Sequence, residues 1–502
     1  MSDPSQRTDP FGASRDRFAQ LLDFADGSDA GELDHAALEE QLTARGRQLL
    51  LQLYQDHLDL RAEREVRLAT VADADGIAHR RVEADHERTL ATVFGEVRVR
   101  RLAYRAVGQA NLHPADAVLN LPAEKHSHGL RRLAATEATR GSFEEAAAAA
   151  GRATGTALGK RQVEELTVRT AADVTAFYTT HRRPATADTE QLLVLQVDGK
   201  GILMRPDALR PATAKAAETA SAKLASRLSK GEKRYRKRIA EVGAVADLTP
   251  VVRTVADILP ATDIEREQAS DGPAATGKWL TASVVDDAAT VVADVFDEAT
   301  RRDPTHARTW VALVDGANHQ IDRINAEAVS RGVRVHILVD FVHIVEYLWK
   351  ATWCFHDEGN PAAESWVHAK ARAVLAGNAR SVAAGIRRTA TARKLTGTAR
   401  KGADDAARYL TNKAPYLDYP TALAGGWPIA TGVIEGACRY LVADRLDITG
   451  ARWGLAGAEA VLQLRAVRAN GDFDDYWTFH QSRQRQRVHA TRYADNIIPL
   501  AA

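Results

Sequence analysis

Four acidic residues stand where they could do chemistry. Asp198 ends the apolar run 192–197 and is followed by Gly199; Asp315 ends the run 310–314 and is followed by Gly316. A carboxylate in that setting is presented at a sheet edge with little bulk beside it. Glu435 falls in the first turn of a helix that starts near Thr431 and whose apolar stripe is Ile434, Ala437, Cys438 and Leu441. Glu435 and Arg439, four apart, share the more polar face. Three carboxylates converging from two strands and a helix repel one another unless a cation sits among them. All-oxygen ligation suits Mg²⁺, with Mn²⁺ as the alternative, rather than zinc. Two such ions about 4 Å apart serve in-line attack at a phosphodiester, one activating water or a 3′-hydroxyl and the other stabilising the leaving oxygen. Taken singly, each acid could equally cap a turn. Asp340 closes a further apolar run, 333–339, and competes for the place of second acid. Asp315 is preferred because its Asp-Gly step mirrors Asp198-Gly199 and precedes a helix.

These residues need a sheet to hold them. The runs at 192–197, 310–314 and 333–339 read as buried strands, 202–204 as a second short strand after Asp198, and 239–248 as strand-like alternation. Ile321, Ile324 and Ala328 mark a helix face between the later strands. Strand, helix and strand with acids at the strand ends imply an α/β sheet with a site along its carboxyl edge. From His343 to about Tyr419 the pattern is entirely helical, and a loop holding Pro415, Pro420 and residues 425–428 follows.

The upstream half is of another kind. Residues 1–30 are polar and are expected to lack order. From Asp34, an N-cap, a helical pattern runs to about residue 65 with Leu38, Leu42, Leu49, Leu53 and Leu60 near one face. Some of these leucines lie seven apart, which permits a coiled-coil contact; an amphipathic helix packed on its own domain is preferred because Arg45-Gly46 interrupts the seam. Residues 93–104 alternate as a half-exposed strand or hairpin. Ser142 to Glu145 matches a capping box, the helix it opens breaks around 151–155, and a second helix starts near Thr156 and carries Lys160 and Arg161. Helix, glycine-containing turn and helix is the layout of a helix-turn-helix, and equally of an ordinary helical hairpin.

Composition sets the outer limits. A chain of 502 residues corresponds to roughly three domains. Hydrophobic residues at 45% and charged residues at 26% provide for a sizeable core. Lys+Arg number 67 against 66 Asp+Glu, so uniform basicity is excluded and any nucleic-acid surface must be local. The two cysteines, Cys354 and Cys438, exclude a disulfide framework and fit a reducing cytosol. The start has no basic segment followed by an apolar run, and no long uncharged apolar stretch occurs, so neither secretion nor a membrane span is expected.

Over residues 85–482 the sequence resembles the DDE transposases of bacterial insertion sequences, specifically the ISKra-type group. The motifs that carry the resemblance are VDGKGILMRPDALR at 197–210, KLASRLSKGEKRYRKRIAEVGAVADLTP at 223–250 and WVALVDGANHQI at 310–321. They continue with LVDFVHIVEYLWKATWCFH at 338–356, TGVIEGACRYLVADRLDITGARWGLAGAEAVLQLRA at 431–466 and NGDFDDYW at 470–477. The resemblance implies an α/β RNase H-like catalytic core interrupted by an all-helical insertion, preceded by a mainly helical N-terminal DNA-binding region. It implies that Asp198, Asp315 and Glu435 form the metal-binding triad. Asp340 and His343 match a D-x-x-H element beside the active site, where His343 would hydrogen-bond a phosphate or help position a metal ligand.

On this reading residues 1–30 are a disordered N-terminus and 31–140 a helical region with a short β-hairpin. Residues 141–183 are a helix-turn-helix-like segment, and 190–342 the first part of the core. Residues 343–428 are the helical insertion, 429–482 the final core helices and 483–502 a basic tail, either a DNA-trailing arm or solvent-exposed. Within 215–238 lie nine Lys/Arg against two Glu, among them Lys233, Arg234, Arg236, Lys237 and Arg238. Contact of this run with the DNA backbone would add affinity and salt dependence without reading sequence. Lys160 and Arg161 are the expected contacts of the recognition segment. Arg452 and Trp453 follow the third acid; Trp453 either stacks on a base or packs in the core. Arg439 and Arg445 either clamp phosphates or pair with Glu435 and Asp444. The expected activity is Mg²⁺-dependent hydrolysis at terminal inverted repeats and transfer of the 3′-hydroxyls into target DNA, in the cytoplasm and on the nucleoid. The expected partners are double-stranded DNA and, since two ends are handled together, a second copy of the chain or more. A non-catalytic DNA-binding repressor and an RNase H-like nuclease are the alternatives.

Overall fold

The computed structural model describes residues 9–180, 190–220, 224, 226–227, 229, 235–448 and 450–499. The chain divides into two compact units, one built from residues 1–181 and 472–502 and the other from 182–471.

In the first unit, α1 (Gly12–Asp26) lies along the long α2 (His35–Glu63), which Asp34 caps by accepting from the Ala37 amide at 2.8 Å. Ser14 donates its amide and hydroxyl to Asp56, and the Arg45 guanidinium lies 3.9 Å over the Phe24 ring. The expectation of disorder over 1–30 is therefore corrected for residues 12–26. The partners that fix this polar helix lie on α2, outside its own sequence. The helix also runs straight through Arg45-Gly46. Strands β1 (Arg81–Thr92) and β2 (Gly95–Arg105) form a longer hairpin than the alternation at 93–104 implied. A register break between Glu83 and His86, with Asp85 at φ 57°, hides the period of β1.

Helices α3 (His128–Ala138), α4 (Phe143–Thr154) and α5 (Lys160–Ala171) pack on one another. The capping box forms: Glu145 N donates to Ser142 Oγ at 3.1 Å, and Ser142 N to Glu145 Oε2 at 2.7 Å. Gly155 ends α4 in the left-handed conformation at φ 74°. The C-terminal helix Phe473–Val488 belongs to this unit. Its Tyr476 hydroxyl donates to the Thr170 carbonyl, and Arg487 forms a two-point pair with Asp173 at 3.1 and 2.9 Å. The boundaries 429–482 and 483–502 are thus corrected. Residues 472–499 pack with the N-terminal helices, because Tyr476, Trp477, His480 and Tyr493 are buried there.

The second unit is a mixed α/β structure around five strands: β3 (Leu192–Leu203), β4 (Lys237–Leu248), β5 (Ala275–Ser283), β6 (Trp310–Val314) and β7 (Val335–Val339). Their order is β5-β4-β3-β6-β7; the first three are antiparallel, and β3, β6 and β7 run parallel. The runs at 192–197 and 202–204 are one continuous strand, paired residue for residue with β4. Strand β5 was not anticipated, since a left-handed Gly277 (φ 53°) and an irregular register disguise it.

Helices α6 (Ala288–Arg302) and α7 (Asn318–Arg331) cover one face. Gly243 allows α6 this close, for a Cβ there would fall 2.5 Å from Val295 Cγ2. At the amino ends of the parallel strands Asp247 accepts from Arg308 at 2.7 Å and Arg302 at 2.6 Å, all three side chains nearly buried. After β7 come α8 (Phe341–Thr352), α9 (Pro361–Leu375), α10 (Ala379–Ala392), α11 (Gly397–Lys413) and the short helix Tyr419–Ala424. Their apolar faces and the sheet share one core. Helix α12 (Gly432–Ala437) runs directly into a π-helical turn, Cys438–Ala443, and α13 (Leu455–Ala469) packs against β5. No helix among the described residues is long and apolar enough to cross a membrane.

Candidate functional site

The parallel ladder sets the site. Gln196 pairs with Leu313, and Val314 with Val339; Asp198 and Asp315 come two residues after the first pair, and Asp340 one residue after the second. Adjacent strands lie about 4.8 Å apart, so these acids share one row at the carboxyl edge of the sheet. Beyond the row, the three chains diverge into different roles.

Asp340 is fully buried. It caps α8 by accepting from the Val342 amide at 2.6 Å, and its other oxygen accepts from the Thr431 amide at 2.9 Å and from the Thr431 hydroxyl. One carboxylate therefore ties the start of α8 to the start of α12. The same hydroxyl lies 3.1 Å from Glu435 Oε1 and, with one proton, donates to Asp340 or to Glu435. Three donor atoms, two amide nitrogens and a hydroxyl oxygen, thereby surround a group with no solvent access. The alternative of Asp340 as second acid is set against this commitment to two helix starts.

Asp198 and Asp315 are half-buried and Glu435 is exposed. Buried Gln196, two residues before Asp198 on the same face of β3, accepts from the Ile434 amide at 2.8 Å and so anchors α12 on the strand. One turn later the Cys438 thiol donates to Asp198 Oδ2 at 3.5 Å, while Gly199 N donates to Oδ1 at 2.7 Å. Burial, and then the adjacent Asp198 charge, push the Cys438 thiol far up, so it is a proton donor and no nucleophile. Asp315 Oδ1 accepts from Ala317 N at 2.7 Å, and the Tyr409 hydroxyl of α11 donates to the Asp315 carbonyl at 2.7 Å. Gly316 is at φ 91°, and a Cβ there would run into that hydroxyl, which is the physical reason for the Asp-Gly step.

A hard cation fits the donor chemistry of this row: the donors are all carboxylate oxygens, and Asp315 Oδ2 and Glu435 Oε2 accept no hydrogen bond from the described residues. The side chains as they stand do not close a cage. Among the described residues no three His, Cys, Asp or Glu side chains come together as a metal-binding group. Each oxygen of Asp198 already accepts one hydrogen bond, from Gly199 N or from the Cys438 thiol.

His343, one turn into α8, is half-buried, and its Nδ1 is enclosed without a hydrogen-bond partner. Glu241, on β4 opposite Gly199, was missed by the sequence reading. Burial raises its pKa, which His319, Arg323 and Arg210 partly offset. Its only trace in the sequence is an acid interrupting the run 239–248.

The basic residues divide. Lys160 and Arg161 are exposed at the first turn of α5 in the other unit, and Arg161 makes a surface pair with Glu165 at 3.1 Å. Lys233 and Arg234 lie outside the described residues, and Arg236 is exposed. Lys237 pairs with Asp447 at 3.1 Å. Arg238 is corrected as a free DNA contact: its guanidinium donates to the carbonyls of Val284, Val285 and Ala208 and so holds β3, β4 and β5 together. Arg439 and Arg452 are exposed, with Arg439 4.0 Å from Asp444. Arg445 is buried, its guanidinium 4.7 Å over the Trp453 ring. Of the two readings of Trp453 the packed-core one holds, and base stacking is corrected. Trp453 is buried, donates Nε1 to the Leu446 carbonyl at 3.0 Å, and pairs its backbone with Leu203 and Arg205 at the end of β3.

No family model matches the chain, and no curated protein matches it by sequence. Among solved structures, a chain of the Drosophila P element transposase strand transfer complex is similar at TM-score 0.21 and 9% identity, over 74% of this chain and 81% of that one. A likeness this slight transfers neither fold nor function.

Proposed function

We propose that the chain is a DDE-type transposase of the ISKra-type group, with an RNase H-like core formed by the five-stranded sheet and interrupted by the helices between Phe341 and Ala424. The observation that carries this reading is that Asp198 and Asp315 each follow by two residues the pair Gln196–Leu313 of adjacent parallel strands, with Glu435 on the helix that Gln196 anchors beside them. Asp198, Asp315 and Glu435 would hold Mg²⁺ or Mn²⁺, which would supply activation of the attacking hydroxyl and charge stabilisation at the leaving oxygen.

The chain's own residues do the rest. Asp340 holds Thr431 at the start of the helix that bears Glu435, Gln196 sets the height of α12, and the Cys438 thiol orients Asp198. His343 has an enclosed, unpartnered nitrogen available to a phosphate oxygen once the surrounding side chains shift. Lys160 and Arg161 at the exposed start of α5, with Arg236, Lys237, Arg439 and Arg452, are the backbone contacts to double-stranded DNA, acting in the cytoplasm as a homodimer or larger assembly.

The test is strand cleavage of a labelled duplex carrying the sequences that flank the gene, in Mg²⁺ or EDTA, with the chain as it stands and with Asp198→Ala. Nicking at a repeat boundary that needs metal and is lost in the variant supports the reading. Binding without cleavage in either metal replaces it with a non-catalytic DNA-binding protein. Cleavage of any duplex, with no preference for the flanking ends, replaces it with a nuclease.

A further inference from the structure

The turn from Asp315 to Asn318 is held from outside the sheet. Two residues of α11, four apart and so on one face, reach it: Tyr409 donates to the Asp315 carbonyl at 2.7 Å, and the Lys413 ammonium donates to the Asn318 side chain. The Tyr409 ring is itself fixed, stacked on Tyr347 of α8 with ring centroids 3.9 Å apart and planes 15° from parallel. Lys350 lies 4.3 Å over the other partner of that stack. Lys413 is buried at 6% exposure. Its long, otherwise flexible stem is immobilised, and the carboxylates of Asp315 and Asp322 offset the cost of burying its charge. Gly316 completes the fit, since any side chain there would displace the Tyr409 hydroxyl.

A turn bearing an acid needs only its own backbone to exist. Here two side chains from a helix about ninety residues further on grip its first and last residues. We propose that Tyr409 and Lys413 are positioning residues that lock the 315–318 turn in the conformation in which Asp315 can ligate a divalent cation. The inference rests on the metal-binding reading of the row and gives the helical segment a part in it.

The test uses two substitutions that leave every charge in place, Tyr409→Phe and Asn318→Ala, together with Asp315→Asn. Thermal unfolding of the full chain is followed by tryptophan fluorescence across a Mg²⁺ titration, with Ca²⁺ as a second probe. A purely structural role lowers the melting temperature equally with and without the ion. A positioning role instead moves the Mg²⁺ concentration at which stabilisation sets in upward, about tenfold for each variant, because loosening the turn costs on the order of one hydrogen bond of preorganisation. An unchanged onset in both variants, with Mg²⁺ stabilisation present in the parent chain and lost in Asp315→Asn, overturns the inference and leaves the metal reading standing. Absence of Mg²⁺ stabilisation in the parent chain overturns the metal reading, and the inference with it.

Discussion

Replacing Asp340 by alanine removes the carboxylate that ties α8 to α12. The Val342 amide loses its cap, which costs about 1 kcal/mol. The buried Thr431 amide is left without an acceptor, at about 1–3 kcal/mol, while the Thr431 hydroxyl can turn to Glu435 Oε1. The expected sum is about 2–4 kcal/mol. Asp340→Asn keeps one acceptor oxygen for the cap but turns an amide nitrogen toward Thr431, and is expected to cost about 1–3 kcal/mol. Seven of the eight tryptophans (279, 310, 349, 353, 366, 427 and 453) lie in the unit that contains the sheet, so urea unfolding followed by tryptophan fluorescence reads that unit. Thr431→Val supplies the second arm. If the carboxylate and Thr431 act as one contact, the double variant is less destabilised than the sum of the two by at least about 1 kcal/mol. A loss under about 1 kcal/mol for Asp340→Ala, with additive behaviour, would refute the tie and reopen Asp340 as a ligand.

Three further outcomes follow from the same structure. Asp247→Ala leaves Arg302 and Arg308 nearly buried without their shared acceptor and is expected to cost about 3–5 kcal/mol in the same urea assay; a neutral result would mean that water reaches both guanidinium groups. Burial, followed by the nearby Arg101 charge, pushes His113 down to about 3, so the folded chain leaves it neutral where the unfolded chain takes up a proton near pH 6.5. The stability of the first unit is then fully present above that pH and falls by up to about 1.4 kcal/mol per unit as the pH drops toward 3. Circular-dichroism melts at pH 7 and pH 5 should show that loss, His113→Gln should reduce it, and superposed curves would contradict the assignment. Gly316→Ala forces a side chain into a left-handed position against the Tyr409 hydroxyl at about 2–4 kcal/mol. Adding Tyr409→Phe should recover part of the loss, and no recovery would show that the backbone angle alone is at fault.

What the sequence disclosed depended on how local the physics was. Asp198, Asp315 and Asp340 were visible because an acid that ends an apolar run is a one-dimensional signal, and the capping box at Ser142 and Glu145 is one as well. Their alignment in one row depends on strand register, which no single run contains. The first helix of the chain was missed because its fixing contacts, Asp56 and Arg45, belong to another helix. Arg238 and Trp453 read as nucleic-acid contacts because charge and aromaticity are plain in a sequence, whereas the carbonyls that engage them are not. The π-helical turn after Glu435 was equally hidden, since its residues follow an ordinary helical stripe. Tyr409 and Lys413 had no local signal at all. They matter only because α11 returns to the edge of the sheet.

The nesting of one unit inside the other has a consequence for how the chain is made. The first unit needs Tyr476, His480 and Arg487, yet residues 182–471 are synthesised before them. At about 5–20 residues per second, that interval lasts roughly 15–60 seconds. During it the α3–α5 helices wait on the ribosome with the seat of the C-terminal helix empty, and at its end the sheet unit has all of its own segments. The newborn chain therefore completes its middle before its beginning, and the N-terminal helices are the part most dependent on a chaperone until the last thirty residues arrive.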